Sequence, residues 1–360
     1  MPELTTHDAP DLPYQPRDPK SYNPGIGLIG CGGITGSHLE AYRNAGYNVQ
    51  ALCDIDEDAA IERQQEFYPD ADIYTDHYDL LAREDIDVVD IATHPTTRAP
   101  LIEDAIDAGK HVLSQKPFAL DLDVGERLVE LADQQGVHLA VNQNGRWAPH
   151  FSYVRHAVDE GLIGDVIDVD LSVHFDHDWI VDTPFDDVEH VILYDFAIHW
   201  FDIVSCFMGD REPTRVYASD ARSPAQTSSQ PLLAQAQVEY EQAQVSLTFG
   251  GNTQYSHEDR TYVAGTEGTL VSTGNNENDQ SVTLETSEGT VSPELEGQWF
   301  TDGFHGTMGE LLRAIEDDRE PSNSARNNLR SLELCFAAVA SSVRNEPVVP
   351  GEIRRLPGSD

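Results

Sequence analysis

The chain has 360 residues, long enough for two hydrophobic cores, and 39% of them are hydrophobic, an ordinary globular proportion. Its 64 acidic residues against 22 basic ones leave a formal net charge of −42, which repels phosphate backbones and anionic lipid and argues against nucleic-acid or membrane-surface partners. Only Lys20, Lys110 and Lys116 remain as lysines, so the acid-rich, lysine-poor balance points to a protein adapted to concentrated salt, where self-repulsion is screened. No basic start followed by an apolar stretch opens the chain, and the expected location is the cytoplasm. Cys31, Cys53, Cys206 and Cys335 are scattered with no C-x-x-C pair, which fits reduced thiols better than a disulfide framework or a zinc site.

Residues 1–24 are polar and proline-rich and read as an extended arm, either mobile or laid on a partner subunit. From Gly25 short apolar strands alternate with helices. The strands are Gly25–Ile29, Val49–Asp54, Ile73–Tyr74, Val88–Ala92, His111–Ser114 and His138–Asn142. The helices are Gly36–Ala45, Glu57–Phe67, Leu101–Ala108 and Leu122–Gln135. That rhythm implies right-handed crossovers and a parallel sheet covered on both faces. After Arg146 the pattern changes. A helix (Pro149–Glu160), a long strand (Val166–Phe175) and a helix (Ile192–Met208) are followed by strand-like stretches at Arg215–Ser219, Ala234–Tyr240, Ala243–Phe249, Thr261–Ala264, Thr269–Ser272 and Ser281–Glu285. Glycine turns separate them, as in a mostly antiparallel sheet. Helices at Gly306–Asp317 and Ala325–Val343 close the chain.

The first strand runs into Gly30-Cys31-Gly32-Gly33-Ile34-Thr35-Gly36. Glycine at 30 permits a tight turn, and glycine at 32 lets the backbone approach a pyrophosphate, at which the next helix points its N-terminal amides. Thr35 holds the third glycine position of G-x-G-x-x-G. Asp54 ends the second strand, where a carboxylate accepts hydrogen bonds from ribose hydroxyls and repels a 2′-phosphate. The turn therefore predicts a dinucleotide site, with NAD expected over NADP.

Lys116 follows an apolar strand in Ser114-Gln115-Lys116-Pro117, at the sheet end that faces a cofactor crevice in doubly wound folds. A partly desolvated amine there can relay a proton or stabilise an alkoxide. In the second half, Asp195 and His199 stand four residues apart in an apolar helical segment, which puts them on one helix face. A neutral imidazole can remove a hydroxyl proton near neutral pH while the carboxylate orients it or binds substrate. A buried structural histidine would give the same local pattern.

Taken together, Gly27-Leu28-Ile29-Gly30-Cys31-Gly32-Gly33-Ile34, the run Gly109-Lys110-His111-Val112-Leu113-Ser114-Gln115-Lys116-Pro117, and Asp195-x-x-x-His199-x-x-Asp202 resemble the motifs of the Gfo/Idh/MocA oxidoreductases, from Gly25 to about Pro347. The resemblance implies an α/β fold: an N-terminal Rossmann domain and a C-terminal α/β domain with a large, mostly antiparallel open sheet. The implied boundaries are an arm at 1–24, an NAD-binding domain at 25–145, a substrate-binding and oligomerisation domain at 146–345 and a tail at 346–360. It implies hydride transfer between NAD and one carbinol carbon of a sugar, inositol or related polyol. Lys116 and His199 would handle the proton and Asp195 would bind substrate. It also implies cofactor contacts from Gly30, Gly32, Gly33, Ile34, Thr35, Asp54, Thr93, His94, Gln115 and Lys116. Gln115 stands where the family has glutamate, and Thr93-His94-Pro95-Thr96-Thr97-Arg98 departs from its T-P-N-x-x-H. These departures keep two alternatives open: a lyase or hydrolase that holds NAD tightly and oxidises its sugar only transiently, and a non-catalytic NAD-binding regulator.

Arg146 and Trp147 after the last parallel strand either bind and stack on a sugar or pack at the domain junction. His177 is a further candidate for substrate contact. His174 and His177 would leave a strand on opposite faces, so no metal is expected. A broad sheet with one free face predicts a homodimer or homotetramer.

Overall fold

The computed structural model describes residues 8–358. They fall into two compact units, one of Gln15–Trp147 with Phe300–Leu329, the other of Ala148–Trp299 with residues 8–14 and 330–358.

In the first unit, β1 (Gly25–Ile29), α1 (Thr35–Ala45), β2 (Asn48–Cys53), α2 (Glu57–Phe67), β3 (Asp72–Tyr74), α3 (His77–Leu81), β4 (Val88–Ile91), α4 (Pro95–Asp107), β5 (His111–Gln115), α5 (Leu122–Gln135) and β6 (Leu139–Asn142) alternate along the chain. The strands form one parallel sheet in the order β3-β2-β1-β4-β5-β6. β1, β4 and β6 are buried along their whole length, as strands covered on both faces must be. The order reverses between β1 and β4, and a ligand crevice opens at the carboxyl ends of strands beside such a reversal. Helix starts are set by acidic caps: Asp56 accepts from the Asp58 amide, Asp76 from Tyr78, and Asp121 from Asp123. The capped turn at Asp76 makes α3, which the hydrophobic pattern did not predict. Helix α4 starts at Pro95, six residues before the predicted Leu101. Pro95 suits a first helical turn, and the helix runs on through Pro100.

The second unit contains α6 (Pro149–Asp159), β7 (Val166–His174), a π-helical turn (Ile192–Phe196), α7 (Ile198–Met208), β8 (Pro213–Ala221), β9 (Leu233–Tyr240), β10 (Ala243–Gly250), β11 (Glu258–Gly265), β12 (Gly268–Gly274), β13 (Gln280–Thr286) and β14 (Gly289–Val291). Its eight strands run in the order β14-β13-β12-β11-β7-β10-β9-β8. Every pair is antiparallel except β7 with β10. Alternation along β9 and β10 buries Ala234, Ala236, Val238, Val245 and Leu247 and leaves Gln235, Gln237 and Gln244 on the polar face. The predicted single helix over 192–208 is corrected. The Ala197 amide donates to the Ile192 carbonyl at 2.8 Å, five residues back, so one extra residue widens the turn before α7 starts.

Two helices end the chain, α8 (Trp299–Glu316) and α9 (Ala325–Arg344). Helix α8 starts seven residues before the predicted Gly306. Its glycines lower helix propensity, yet they are packing positions. A Cβ at Gly303 would meet the Asn144 carbonyl at 2.7 Å, one at Gly306 the Trp147 ring at 2.1 Å, and one at Gly309 the Arg17 carbonyl at 2.6 Å.

Residues 8–24 of the expected N-terminal arm lie against their own chain, and its first seven residues lie outside the described residues. The Glu316 carboxylate accepts from the amides of Lys20, Ser21 and Tyr22 at 2.6–2.9 Å. Those bonds pull its pKa down to about 2. Within the second unit Leu12 is buried, and the Tyr153 hydroxyl donates to the Pro10 carbonyl at 3.1 Å. Among the described residues no helix is long and apolar enough to cross a membrane.

Candidate active site

The glycine turn follows β1 at the sheet reversal. Gly30 has φ +97°, and a Cβ there would meet the Ala92 backbone and the Thr93 side chain at 3.0 Å, so only glycine fits without strain. Gly32 and Gly33 are different: a Cβ on either would stand in open space. Their bareness leaves the backbone approachable from outside, which is what a bound pyrophosphate requires. Thr35 is buried, and its hydroxyl closes the turn by donating to the Gly32 carbonyl at 2.6 Å. Ile34 is partly exposed beside it.

Asp54 follows β2 and is tied to this turn. One carboxylate oxygen accepts from the Cys31 amide at 2.6 Å and the other from the Asp56 amide at 2.9 Å. Burial and the Asp54 charge push the Cys31 thiol pKa up to about 12, so that cysteine is no nucleophile. Arg63 reaches the same turn from α2. It donates to the Gly32 carbonyl at 3.3 Å, and its Nε is buried with no hydrogen-bond partner among the described residues. Sequence reading missed this cation because eight residues, most of them the first turns of α2, separate it from Asp54.

After β4, Thr93 keeps a buried hydroxyl without a hydrogen-bond partner among the described residues, while His94 caps α4 beside the Thr96 hydroxyl at 3.1 Å. Arg98, fully buried, donates to the carbonyls of Thr93, Gln115 and Pro117. It clamps the segment after β4 to the segment after β5, where Lys116 precedes a cis proline. A buried arginine serving three carbonyls was invisible to motif reading, since its partners lie up to 19 residues away.

Gln115, the unexpected residue before Lys116, is buried. Its Nε2 meets His38 Nε2 at 3.0 Å and its Oε1 accepts from the Lys116 amide at 2.7 Å. His38 in turn meets Asp90 at 2.7 Å through Nδ1, and the Tyr42 hydroxyl donates to the same Asp90 oxygen at 2.7 Å.

In the second unit Asp195 lies in the π-helical turn and His199 is the second residue of α7. The extra residue of that turn means the four-residue spacing no longer guarantees a shared face. The His199 ring packs edge-on against Trp299 at 5.8 Å. Burial, with Asp195 adding to it, drives the Cys335 thiol pKa far up. His177 is buried among Phe175, Trp179 and Phe196, and its Nδ1 accepts from the Trp179 indole at 3.2 Å. It lies beyond the end of β7, so the opposite-face argument for His174 and His177 does not apply. Among the described residues no group of three or more His, Cys, Asp or Glu could hold a metal ion.

Arg146 and Trp147, expected either to bind a sugar or to pack at the domain junction, make packing and hydrogen-bond contacts here. Both are buried in the first unit. The guanidinium donates to the Ser322 carbonyl at 2.5 Å and to Asn327 at 2.7 Å, and the indole lies on Gly306.

Residues 25–143 match the oxidoreductase family with an NAD-binding Rossmann fold, GFO_IDH_MocA, and residues 151–271 match the GFO/IDH/MocA C-terminal domain. A D-apiose dehydrogenase of Paraburkholderia graminis is 35% identical over 54% of this chain, a match that spans 52% of that protein. An inositol 2-dehydrogenase of Rhizobium meliloti is 27% identical over 88% of this chain and 96% of its own length. An oxidoreductase from Agrobacterium radiobacter, solved in complex with NAD+, L-tartaric acid and magnesium, shares the fold with a TM-score of 0.82. It covers 91% of this chain and 99% of its own at 22% identity. With two successive domains matched and the turn, Asp54 and the eight-stranded sheet in place, the chain belongs to the Gfo/Idh/MocA family of NAD-binding oxidoreductases.

Proposed function

We propose that the protein is a dehydrogenase of a sugar, inositol or related polyol, using NAD in preference to NADP. The observation that carries this reading is the Gly30–Gly36 turn held to Asp54, with Gly32 and Gly33 bare on their outer side. Those residues fit a dinucleotide: the α1 amides and the turn backbone would hold the pyrophosphate, and Asp54 would accept from the adenosine ribose. Thr93, with its unpartnered hydroxyl, and His94 would line the same site. Asp54 is also the ground for preferring NAD, because its charge opposes a 2′-phosphate. When bound, the nicotinamide supplies the hydride acceptor or donor.

The chain's own residues supply proton handling and position. His199 would take the hydroxyl proton and Lys116 would stabilise the oxygen as charge develops on it. Asp195 and His177 would bind further substrate hydroxyls. The likeness to apiose and inositol dehydrogenases supports a polyhydroxylated substrate. We further propose a salt-adapted, cytoplasmic homo-oligomer. The −42 charge, the four free thiols and the polar open face of the eight-stranded sheet support that reading.

A panel of aldoses, inositols and polyols, assayed with NAD and NADP in molar salt, tests the activity through absorbance of the reduced cofactor. Lys116→Ala and His199→Ala should each lower kcat by about 100-fold or more while NADH still binds. Gly30→Ala should abolish NADH binding itself. Normal turnover in both Lys116→Ala and His199→Ala sinks the mechanism.

A further inference from the structure

Below the carboxyl ends of β4, β5 and β6, five side chains from four elements form one hydrogen-bonded chain inside the first unit. Tyr42 and His38 come from α1, Asp90 from β4, Gln115 from β5 and Asn142 from β6. His38, Asp90 and Asn142 are fully buried and Gln115 is 5% exposed. Elementary donor and acceptor rules fix the ring proton of His38. The Lys116 backbone amide can only donate, so the Gln115 atom facing it at 2.7 Å is the carbonyl oxygen, and the amide nitrogen therefore faces His38 Nε2 at 3.0 Å. The Asn142 amide nitrogen lies 3.3 Å from the same His38 Nε2, and the Thr307 hydroxyl lies 3.1 Å from both the Asn142 oxygen and the Phe304 carbonyl. His38 Nε2 therefore accepts from the Gln115 amide and carries no proton. The ring is the neutral Nδ1–H tautomer, donating to Asp90 at 2.7 Å. Phe304 of α8 covers the ring at 4.4 Å.

We infer that Asp90 and His38 are positioning residues: acting through Gln115, they fix the backbone amide of Lys116 and so the direction in which its amine leaves β5. The inference rests on the reading that Lys116 handles the proton, and it gives the glutamine at 115 a reason. A neutral His38 that donates only through Nδ1 calls for a neighbour that donates to Nε2 and accepts from Lys116, and a carboxamide does both. A carboxylate at 115 accepts only. It would oblige His38 to take a second proton, leaving an imidazolium between Asp90 and residue 115.

The three lysines make the test direct, because [15N]lysine labelling yields only three lysine amide signals, those of Lys20, Lys110 and Lys116. In the intact protein the Lys116 amide should exchange slowly, and [15N]histidine should show His38 as the Nδ1–H tautomer at pH 7. Gln115→Met removes both bonds and His38→Leu removes the support behind Gln115. Each should speed Lys116 exchange at least tenfold while the Lys20 and Lys110 signals hold, and His38→Leu should also leave NADH binding intact. Gln115→Glu keeps the acceptor, so it should restore slow exchange and turn the His38 signal into that of an imidazolium. On a substrate found in the panel, Gln115→Met and His38→Leu should lower kcat at least tenfold with KM within threefold. Fast exchange in Gln115→Met but not in His38→Leu overturns the relay through His38. An Nε2–H tautomer in the intact protein, or unchanged exchange in both variants, overturns the inference whole. Failure of the proton-handling reading looks different: Lys116→Ala would stay active while the exchange results stood.

Discussion

Below β4, β5 and β6 the buried polar groups share hydrogen bonds from Tyr42 to the Lys116 amide, whereas under the eight-stranded sheet His150 and Asp259 are buried alone. The Nε2 of His150 has no hydrogen-bond partner among the described residues, and burial lowers its pKa to about 3. Asp259 on β11 is 4% exposed, and burial, with Glu277 adding to it, raises its pKa to about 7. Hydrogen-bonded partners offset the cost of burying polar groups, and a buried titratable group without them favours its neutral form. His150 and Asp259 therefore answer to pH. The contrast also sorts the two by use, since the connected group supports the backbone of Lys116.

Breaking the connected group should have the largest effect. Asp90→Ala leaves the Tyr42 hydroxyl and the His38 Nδ1–H without an acceptor in a fully buried site, at a cost of about 2–5 kcal/mol. Urea unfolding followed by circular dichroism measures it. A loss below about 0.5 kcal/mol would mean that those hydrogen bonds are not made in the folded state.

This group shows where sequence reading stops. The parallel sheet was legible because β1, β4, β5 and β6 are short apolar runs punctuated by glycine and by capped helices. The turn was legible because its glycines and Asp54 follow a fixed spacing imposed by one ligand. His38 and Asp90 stand 52 residues apart, and no local period connects a histidine on a helix to an aspartate on a strand. Arg63, Arg98 and the α8 glycines were missed for the same reason, since each is explained only by a distant partner. The π-helical turn escaped because its residues are apolar and helix-forming, and a single added residue leaves no compositional trace.

The second effect belongs to His150, at the start of α6 beside Phe151 at 4.2 Å and Trp299 at 6.1 Å. In the unfolded chain a histidine titrates near 6.5, and in the fold this one resists protonation down to about 3. As pH falls from about 6.5 towards 3 the unfolded state takes a proton that the native state refuses, so stability drops by up to about 5 kcal/mol in that window. His111, lowered to about 4 by burial and then by His138, tilts the curve the same way. His150→Leu should flatten the acid limb of an unfolding free-energy profile measured from pH 7 to 4. An equally steep limb in the variant would assign the acid sensitivity elsewhere. Because Trp299 also packs on His199 at 5.8 Å, Trp299 fluorescence should move in step with the loss in the unsubstituted protein.

Asp259 works in the opposite direction and by less. Its carboxyl shares the core-facing side of β11 with Thr261 and Val263, opposite Val173 and Gly274 in the neighbouring strands. The native state keeps its proton up to about pH 7, while the unfolded chain releases it near 4. Between those values the native state binds more protons, so this group's contribution is complete below about pH 4 and declines as pH rises to about 7. Asparagine has the same shape and never ionises. Asp259→Asn should therefore match the unsubstituted protein near pH 4, gain on it through pH 7 and hold a lead of about 1–3 kcal/mol at pH 8. Urea midpoints at pH 4.5 and 8 decide the matter. A lead that shrinks with rising pH would show that the Asp259 carboxylate has a cationic or hydrogen-bonding partner in the fold, and the contrast between the two sheets would then fail at this residue.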